Sequence, residues 1–308
     1  MTGTTAPARP APLRVWLHAI RPRTLPAATA AVVVGLGAAL ATGAPFRPDT
    51  ALGCLAVALL LQVLSNLAND LSDFRRGADT PDRAGPTRVA AAGLVSERAL
   101  ELAIALTIGL AGAVGLWLVW IGGPVLLGLG LLAVVAALAY TGGPWPYGYR
   151  GLGELFVFLF FGLVAVVGTA SLQVLALEPF FVVAAVAPGA LITAILVVNN
   201  LRDIPTDAAA GKRTLAVIFG ERFAQREWEA LVLAAYLVPA ALAAALAAPA
   251  LLLPLATAPL VRPLRATVRG FGTERRALNG VLAGTARLAL LHGLLFAAGL
   301  ALHGAGLG

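Results

Sequence analysis

Long apolar runs separated by short polar, basic breaks fill most of this chain. A helix that crosses the hydrocarbon of a bilayer needs ~20 mostly apolar residues, because each backbone amide and carbonyl must find its partner within the segment. Nine stretches meet or nearly meet that length, at about 24–42, 51–69, 99–119, 123–140, 153–173, 179–200, 230–248, 250–268 and 284–303. The eighth departs most from the pattern, since Pro254, Pro259 and Pro263 interrupt it and Arg262 and Arg265 enter its end. The pattern predicts an all-α integral membrane protein, a bundle of about nine transmembrane helices forming one domain over residues 1–308. The Pro/Ala/Thr-rich stretch 1–12 is expected to be flexible, and it lacks the separate apolar run and cleavage site of a removable signal peptide.

The polar breaks are one-sided. Arg9, Arg14, Arg21 and Arg23 precede the first span, and most other basic residues follow spans two, six and eight. Of the 22 Lys and Arg, all but Arg47 fall on that same side, which the positive-inside rule makes cytoplasmic. With nine spans the N-terminus is then cytoplasmic and the C-terminus external, as expected for a multi-pass protein of the cell (inner) membrane. Outer connections are short, whereas the inner ones at about 70–98, 201–229 and 269–283 are long and polar, so any chemistry is expected on the cytoplasmic face.

Composition sharpens this picture. Hydrophobic residues make up 59% and charged residues 12% of the chain, against about 45–50% and about 25% in soluble domains, which excludes an ordinary soluble enzyme. A net charge of +7 would by itself fit a nucleic-acid partner. The placement of the bases explains it by topology instead, and no nucleic acid is expected. The single cysteine, Cys54, excludes an intrachain disulfide or a cysteine zinc cluster.

Candidate chemistry sits where spans two and six leave the membrane. Asn66, Asn69, Asp70 and Asp73 lie at i, i+3, i+4 and i+7, sharing one helical face, with Gly77 and Asp79 following. Asn199, Asp203 and Asp207 lie at i, i+4 and i+8, beside Asn200 and ahead of Gly211, Lys212 and Arg213, with Pro205 within the run. Asn66, Leu67, Asp73, Gly77 and Thr80 match Asn200, Leu201, Asp207, Gly211 and Thr214 at one constant offset, which points to duplicated halves. Two readings of the acids stand open: salt bridges to Arg75, Arg76 and Arg202 or simply solvated loop charges, against ligands of a functional site. Carboxylate and amide oxygens without His or Cys suit a hard cation such as Mg²⁺, bound jointly with substrate phosphates. Arg21, Arg23, Arg83, Arg88, Lys212 and Arg213 lie close by, as topology residues or as phosphate ligands. Together these features describe a diphosphate headgroup site at the mouth of an apolar bundle.

These residues resemble the UbiA superfamily of intramembrane prenyltransferases, whose acidic motifs are matched by Asn69-Asp70-x-x-Asp73 and Asp203-x-x-x-Asp207. The third Asp of the general first motif falls on Gly77, with Asp79 two positions on. That ending, the Asp82 to Arg88 string, Tyr140-Thr141-Gly142-Gly143-Pro144, the turn with Tyr147 and Tyr149, and Gly211-Lys212-Arg213-Thr214 are similar to the branch that prenylates 1,4-dihydroxy-2-naphthoate. The resemblance covers about residues 14–220. It implies Mg²⁺-dependent transfer of a polyprenyl group from its diphosphate to the naphthoate, with loss of CO₂ and diphosphate, giving demethylmenaquinone.

The resemblance further implies catalytic and metal-binding roles for Asp70, Asp73, Asp203 and Asp207. It implies further metal ligands among Asn66, Asn69, Asp79, Asn199 and Asn200, and diphosphate contacts from Arg21, Arg23, Arg83, Arg88, Lys212 and Arg213. Arg83, Arg88, Tyr140, Tyr147 and Tyr149 are candidates for the acceptor, the tyrosines reading equally as interfacial aromatics. Relatives often carry a basic residue where this chain has Trp145, and Arg150 is the nearest substitute. His18 precedes span one and reads as a surface residue, so no strong general base is evident. The rivals are a prenyltransferase with another acceptor, such as hydroxybenzoate, homogentisate or a porphyrin, and a cation-coupled transporter.

Overall fold

The computed structural model describes residues 11–78, 84–86 and 88–307. Asp79, Arg83 and the stretch 1–10 lie outside the described residues. Among those described there are helices and no strands: α1 (Pro12–Ile20), α2 (Leu25–Leu40), α3 (Pro48–Arg75), α4 (Glu97–Gly122), α5 (Val125–Ala139), α6 (Gly153–Val157), α7 (Ala165–Val174), α8 (Pro179–Ala209), α9 (Leu215–Phe219), α10 (Glu221–Leu246), α11 (Val261–Gly270) and α12 (Leu278–Gly304). Seven helical stretches among the described residues are long and apolar enough to cross a membrane: Pro12–Leu40, Pro48–Arg75, Glu97–Gly122, Gly153–Val174, Pro179–Ala209, Glu221–Leu246 and Arg275–Gly304.

The expected nine spans are therefore not nine long helices. The fourth is the 15-residue α5. The eighth is the 12-residue 3₁₀ segment Pro249–Leu260 running into α11. Pro254 and Pro259 lie inside that segment, and a proline both removes a backbone donor and clashes with the preceding turn of an α-helix. The tighter coil carries the chain past both, and α11 that follows exposes Arg262, Arg265 and Arg269 along one side. The polar stretch expected as a loop at 201–229 is also mostly helical, since α8 continues to Ala209, straight through Pro205, and α10 begins at Glu221.

Small residues decide how these helices pack. Helices surrounded by lipid associate through close van der Waals contact, which Gly and Ala permit. Along α2 the buried positions are almost all Ala, Gly or Val. A Cβ on Gly37 would fall 2.5 Å from the Cα of Ala297 in α12, and one on Gly35 would fall 2.7 Å from the Cβ of Thr169 in α7. The most enclosed element is α8, buried from Phe181 to Asp207 against α10, α12, α2 and the segment before α7. Between α6 and α7 the helix widens into a π-helical stretch, Phe158–Val164, whose Gly162 sits backbone to backbone against Gly189 of α8.

The duplication read from the sequence recurs in how α3 and α8 end. The amide of Arg76 bonds the carbonyl of Ser72, that of Gly77 bonds Phe74, and that of Ala78 bonds Asp73. In α8 the amides of Ala210, Gly211 and Lys212 bond Thr206, Ala208 and Asp207 in the same way. Gly77 and Gly211 both take positive φ, 65° and 70°, which lets the chain reverse over the last carbonyls of each helix. The same turn thus presents both acidic motifs at one end of the bundle. At the opposite end Arg47 is held by Gln173 and the carbonyl of Leu172.

Candidate active site

Asn69 and Asp73, one helical turn apart on α3, both line a large cavity at this end of the bundle. Asn69 accepts from the hydroxyl of Thr141 at 3.0 Å. Asp73 is 6% exposed, receives the Arg88 guanidinium at 2.7 Å and accepts from the phenol of Tyr149 at 3.3 Å. Burial, and then the neighbouring Asp73 carboxylate, push the Tyr149 phenol up to about 12, so it stays a neutral donor at physiological pH. Asn66 also lines the cavity, but its amide nitrogen is spent on the carbonyl of Ile20 and the hydroxyl of Thr24, which ties α3 to the entry of α2. Asp70 turns away from the cavity. Its two oxygens accept the backbone amides of Val89 and Ala90 at 3.1 and 3.2 Å, so it organises the segment that delivers Arg88.

The second motif is built around a buried guanidinium. Arg202 grips Asp203 through Nε and Nη2 at 2.7 and 2.6 Å, and donates also to Asn199 Oδ1 and Asn279 Oδ1. Asn199 lines the cavity. Asn200 faces the other way, donating to Glu154 at 2.7 Å. Asp207 lies 3.4 Å from the Lys212 ammonium, and its Oδ2 is buried without a hydrogen-bond partner. Lys212 also lies over the rings of Tyr140 and Tyr149, 5.8 Å from each centroid.

Arg21, Arg88, Lys212, Tyr140 and Tyr147 complete the charged and aromatic lining. Arg23 and Arg213 are exposed and do not line the cavity, although the Arg213 amide bonds the carbonyl of Tyr149. Tyr147 bonds the carbonyl of Ala136 through its hydroxyl and stacks on Phe156, fixing the 140–150 turn between α5 and α6. Arg150 packs over Trp145, 4.9 Å from its ring centre, and is not among the cavity residues. Arg150 therefore brings no charge to the cavity in place of Trp145.

From this mouth the cavity runs inward between α2, α3, α5 and the α6–α7 stretch to Cys54, Leu118 and Leu172. Cys54 and Asp73 stand 19 positions apart on α3, so at 1.5 Å per residue the cavity extends about 28 Å along that helix, nearly the thickness of the hydrocarbon. Its walls are aliphatic with Phe156, Phe160 and Phe161 set among them. Sequence reasoning missed Thr141, Asn279 and these phenylalanines as site residues, since Thr141 lies in the turn after α5 and single polar or aromatic residues carry no periodic signal.

The donor set at the mouth consists of carboxylate and amide oxygens, the chemistry of a hard divalent cation such as Mg²⁺. Among the described residues no three acidic or histidine side chains converge on one point, so amide oxygens and substrate oxygens would have to complete the shell. The cations now paired with Asp73 and Asp207 would be free to meet a diphosphate once a metal took those carboxylates.

Residues 29–291 match the UbiA prenyltransferase family. The 1,4-dihydroxy-2-naphthoate octaprenyltransferase of Escherichia coli (strain K12) is 41% identical over 296 residues, covering 93% of this chain and 95% of that protein. Its namesake from Mycobacterium tuberculosis is 42% identical over 286 residues, covering 93% and 96%. In fold, the chain is similar to a UbiA homolog from Archaeoglobus fulgidus solved with GPP and Mg²⁺, with a TM-score of 0.62 at 17% identity, over 92% of this chain and 99% of that one. Two acidic motifs meeting over an apolar channel, with these likenesses over nearly the whole length, place the chain in the UbiA prenyltransferase family.

Proposed function

We propose that the chain transfers a polyprenyl group from polyprenyl diphosphate to 1,4-dihydroxy-2-naphthoate, releasing diphosphate and CO₂ and giving demethylmenaquinol, the reduced form of demethylmenaquinone, a step of menaquinone biosynthesis. The observation that carries the donor half is the continuity between a charged mouth, at Asn69, Asp73, Arg88 and Lys212, and an apolar channel about 28 Å long. A diphosphate bearing an isoprenoid tail has that division of chemistry. The naphthoate half rests on the relatives of 41% and 42% identity that carry this activity in their names.

Asn69, Asp73, Asn199, Asp203 and Asp207 are the residues we assign to hold Mg²⁺, whose role when bound is to neutralise the leaving diphosphate. Arg88, Lys212 and Arg21 bind phosphate oxygens and orient the allylic carbon toward the acceptor. As the allylic C–O bond breaks, its electron pair leaves with the diphosphate. The ring carbon bearing the carboxylate attacks the allylic carbon, and the electron pair of the C–CO₂ bond returns to the ring as CO₂ departs. Tyr140, Phe156, Phe160 and Phe161 line the path and supply aromatic rings that would favour a developing cation. The apolar walls keep out the water that would otherwise capture it. Asp70 and Asn66 act through the segments they hold.

The test is product mass. Purified protein with Mg²⁺ and a polyprenyl diphosphate is expected to prenylate 1,4-dihydroxy-2-naphthoate with release of CO₂, at least about 100-fold faster than 4-hydroxybenzoate or homogentisate, a difference of about 2.7 kcal/mol in barrier. Faster turnover of hydroxybenzoate would refute the acceptor and leave the prenyl transfer standing. No metal-dependent turnover of any acceptor would refute the enzyme reading in favour of transport.

The site is assigned to the cytoplasmic face of the cell membrane, because the bases cluster at its end of the bundle and Arg47 stands at the other. A topology reporter fused after Arg213 is expected in the cytoplasm and one after Gly308 outside. Both on one side would overturn the nine-crossing path.

A further inference from the structure

We infer that Asn279, at the start of α12, is a positioning residue that braces the two acidic motifs into one diphosphate site. Its Oδ1 accepts from Arg202 Nη1 at 2.9 Å, and its Nδ2 donates to the carbonyl of Ala84 at 3.0 Å. Arg202 is the guanidinium that orients Asp203 and Asn199. Ala84 begins the described part of the segment whose Val89 and Ala90 amides sit on Asp70 and whose Arg88 sits on Asp73. One short amide therefore joins the second motif's arginine to the first motif's covering segment, 195 positions away in the chain. Both functional groups of the side chain are used, each in the direction its chemistry allows, as an Asn can provide and an Asp cannot.

The brace has a reason in the geometry. Both motifs must face a single diphosphate, yet they belong to separate halves of the chain, and the first is covered by Arg88 on Asp73 and by the amides of Val89 and Ala90 on Asp70. Holding the covering segment to Arg202 sets where Arg88 stands relative to Asn199 and Asp203. A site of this kind binds its ligand best when its parts are ordered before the ligand arrives. The start of α12 does not depend on Asn279 for its own placement, because Arg275 donates to the carbonyl of Leu201 at 2.8 Å and Leu278 is fully buried.

This inference rests on the diphosphate reading above, and the experiment separates the two. Purified full-length wild type and Asn279→Ala are titrated with geranylgeranyl diphosphate in Mg²⁺, with no acceptor present, and steady-state constants are then measured with both substrates. The variant is expected to bind the diphosphate about tenfold more weakly and to raise donor KM by a similar factor. Its kcat is expected to stay within about threefold, and acceptor KM within about twofold, of wild type. A purely structural loss would lower the active fraction and leave both KM values in place. Binding within twofold of wild type in a folded variant overturns the brace. Should Asn279→Ala fail to fold, Asn279→Asp keeps the acceptor for Arg202 and loses the donor to Ala84; weakening of threefold or more supports the brace and unchanged binding overturns it. Absence of Mg²⁺-dependent binding in the wild type itself refutes the diphosphate reading, and the brace with it.

Discussion

Replacing Asp73 by Asn is expected to lower kcat/KM by about 10²–10³-fold while lowering the thermal unfolding temperature less than Asp73→Ala does. Asp73 is the acidic residue of the first motif that lines the cavity and holds Arg88. The amide is the same size and keeps an acceptor for the Tyr149 hydroxyl or the Arg88 guanidinium. It forfeits the charge, and with it most of the electrostatic hold on a divalent cation beside the leaving group. Removing one electrostatic contact to charge developing in a transition state costs about 2.7–4 kcal/mol. Asp73→Ala should lose at least as much activity, with an added loss of stability from the buried Arg88 left beside a void. Wild-type turnover by Asp73→Asn with unchanged Mg²⁺ dependence would remove the first motif from the mechanism.

Asp203→Ala is expected to fail differently, as a folding defect. Arg202 and Asp203 are 2% and 3% exposed and are joined by two hydrogen bonds, so removing the carboxylate leaves a buried guanidinium whose remaining partners, Asn199 and Asn279, are neutral. Breaking one partner of such a pair costs about 3–5 kcal/mol, whereas replacing both by apolar residues of similar volume is often neutral or stabilising. Detergent-solubilised Asp203→Ala should therefore unfold at markedly lower temperature, and Arg202→Met with Asp203→Leu should recover the stability while remaining inactive. If Asp203→Ala is as stable as the wild type, the pair is not the anchor described here. If the double variant turns over substrate, the second motif is not part of the site.

These two outcomes separate residues that the sequence groups together. Asn66, Asn69, Asp70 and Asp73 fall within one stripe of α3 because 3.6 residues make a turn, yet the stripe is about 100° wide. Asn69 and Asp73 occupy the side that looks into the cavity. Asp70 sits at the stripe's edge and meets the amides of Val89 and Ala90. Spacing alone cannot tell a residue that faces a ligand from one that faces a loop, since both want a polar partner at the end of an apolar helix. For the same reason Arg23, Arg88 and Arg213 look alike in sequence, while only Arg88 is drawn into the cavity lining, by Asp73. Two acidic clusters at one offset were legible as a repeat, and the paired Gly77 and Gly211 turns give that repeat a structural counterpart.

Local chemistry was thus enough to determine the membrane class, the helical architecture, the end of the bundle that carries the site and the hard-oxygen character of its acidic motifs. Each of these follows from apolar run length, from the cost of burying charge, or from residue type at helical spacing, none of which requires knowing what packs on what. The count of long helices, the direction each acid faces, the reach of the channel to Cys54 and Leu172, and the link from Asn279 to both motifs were decided only in three dimensions. They depend on close approaches such as Gly37 on Ala297 and on hydrogen bonds between positions up to 195 residues apart. Such contacts have no signature within a helical turn of either partner, so only the packed bundle specifies them.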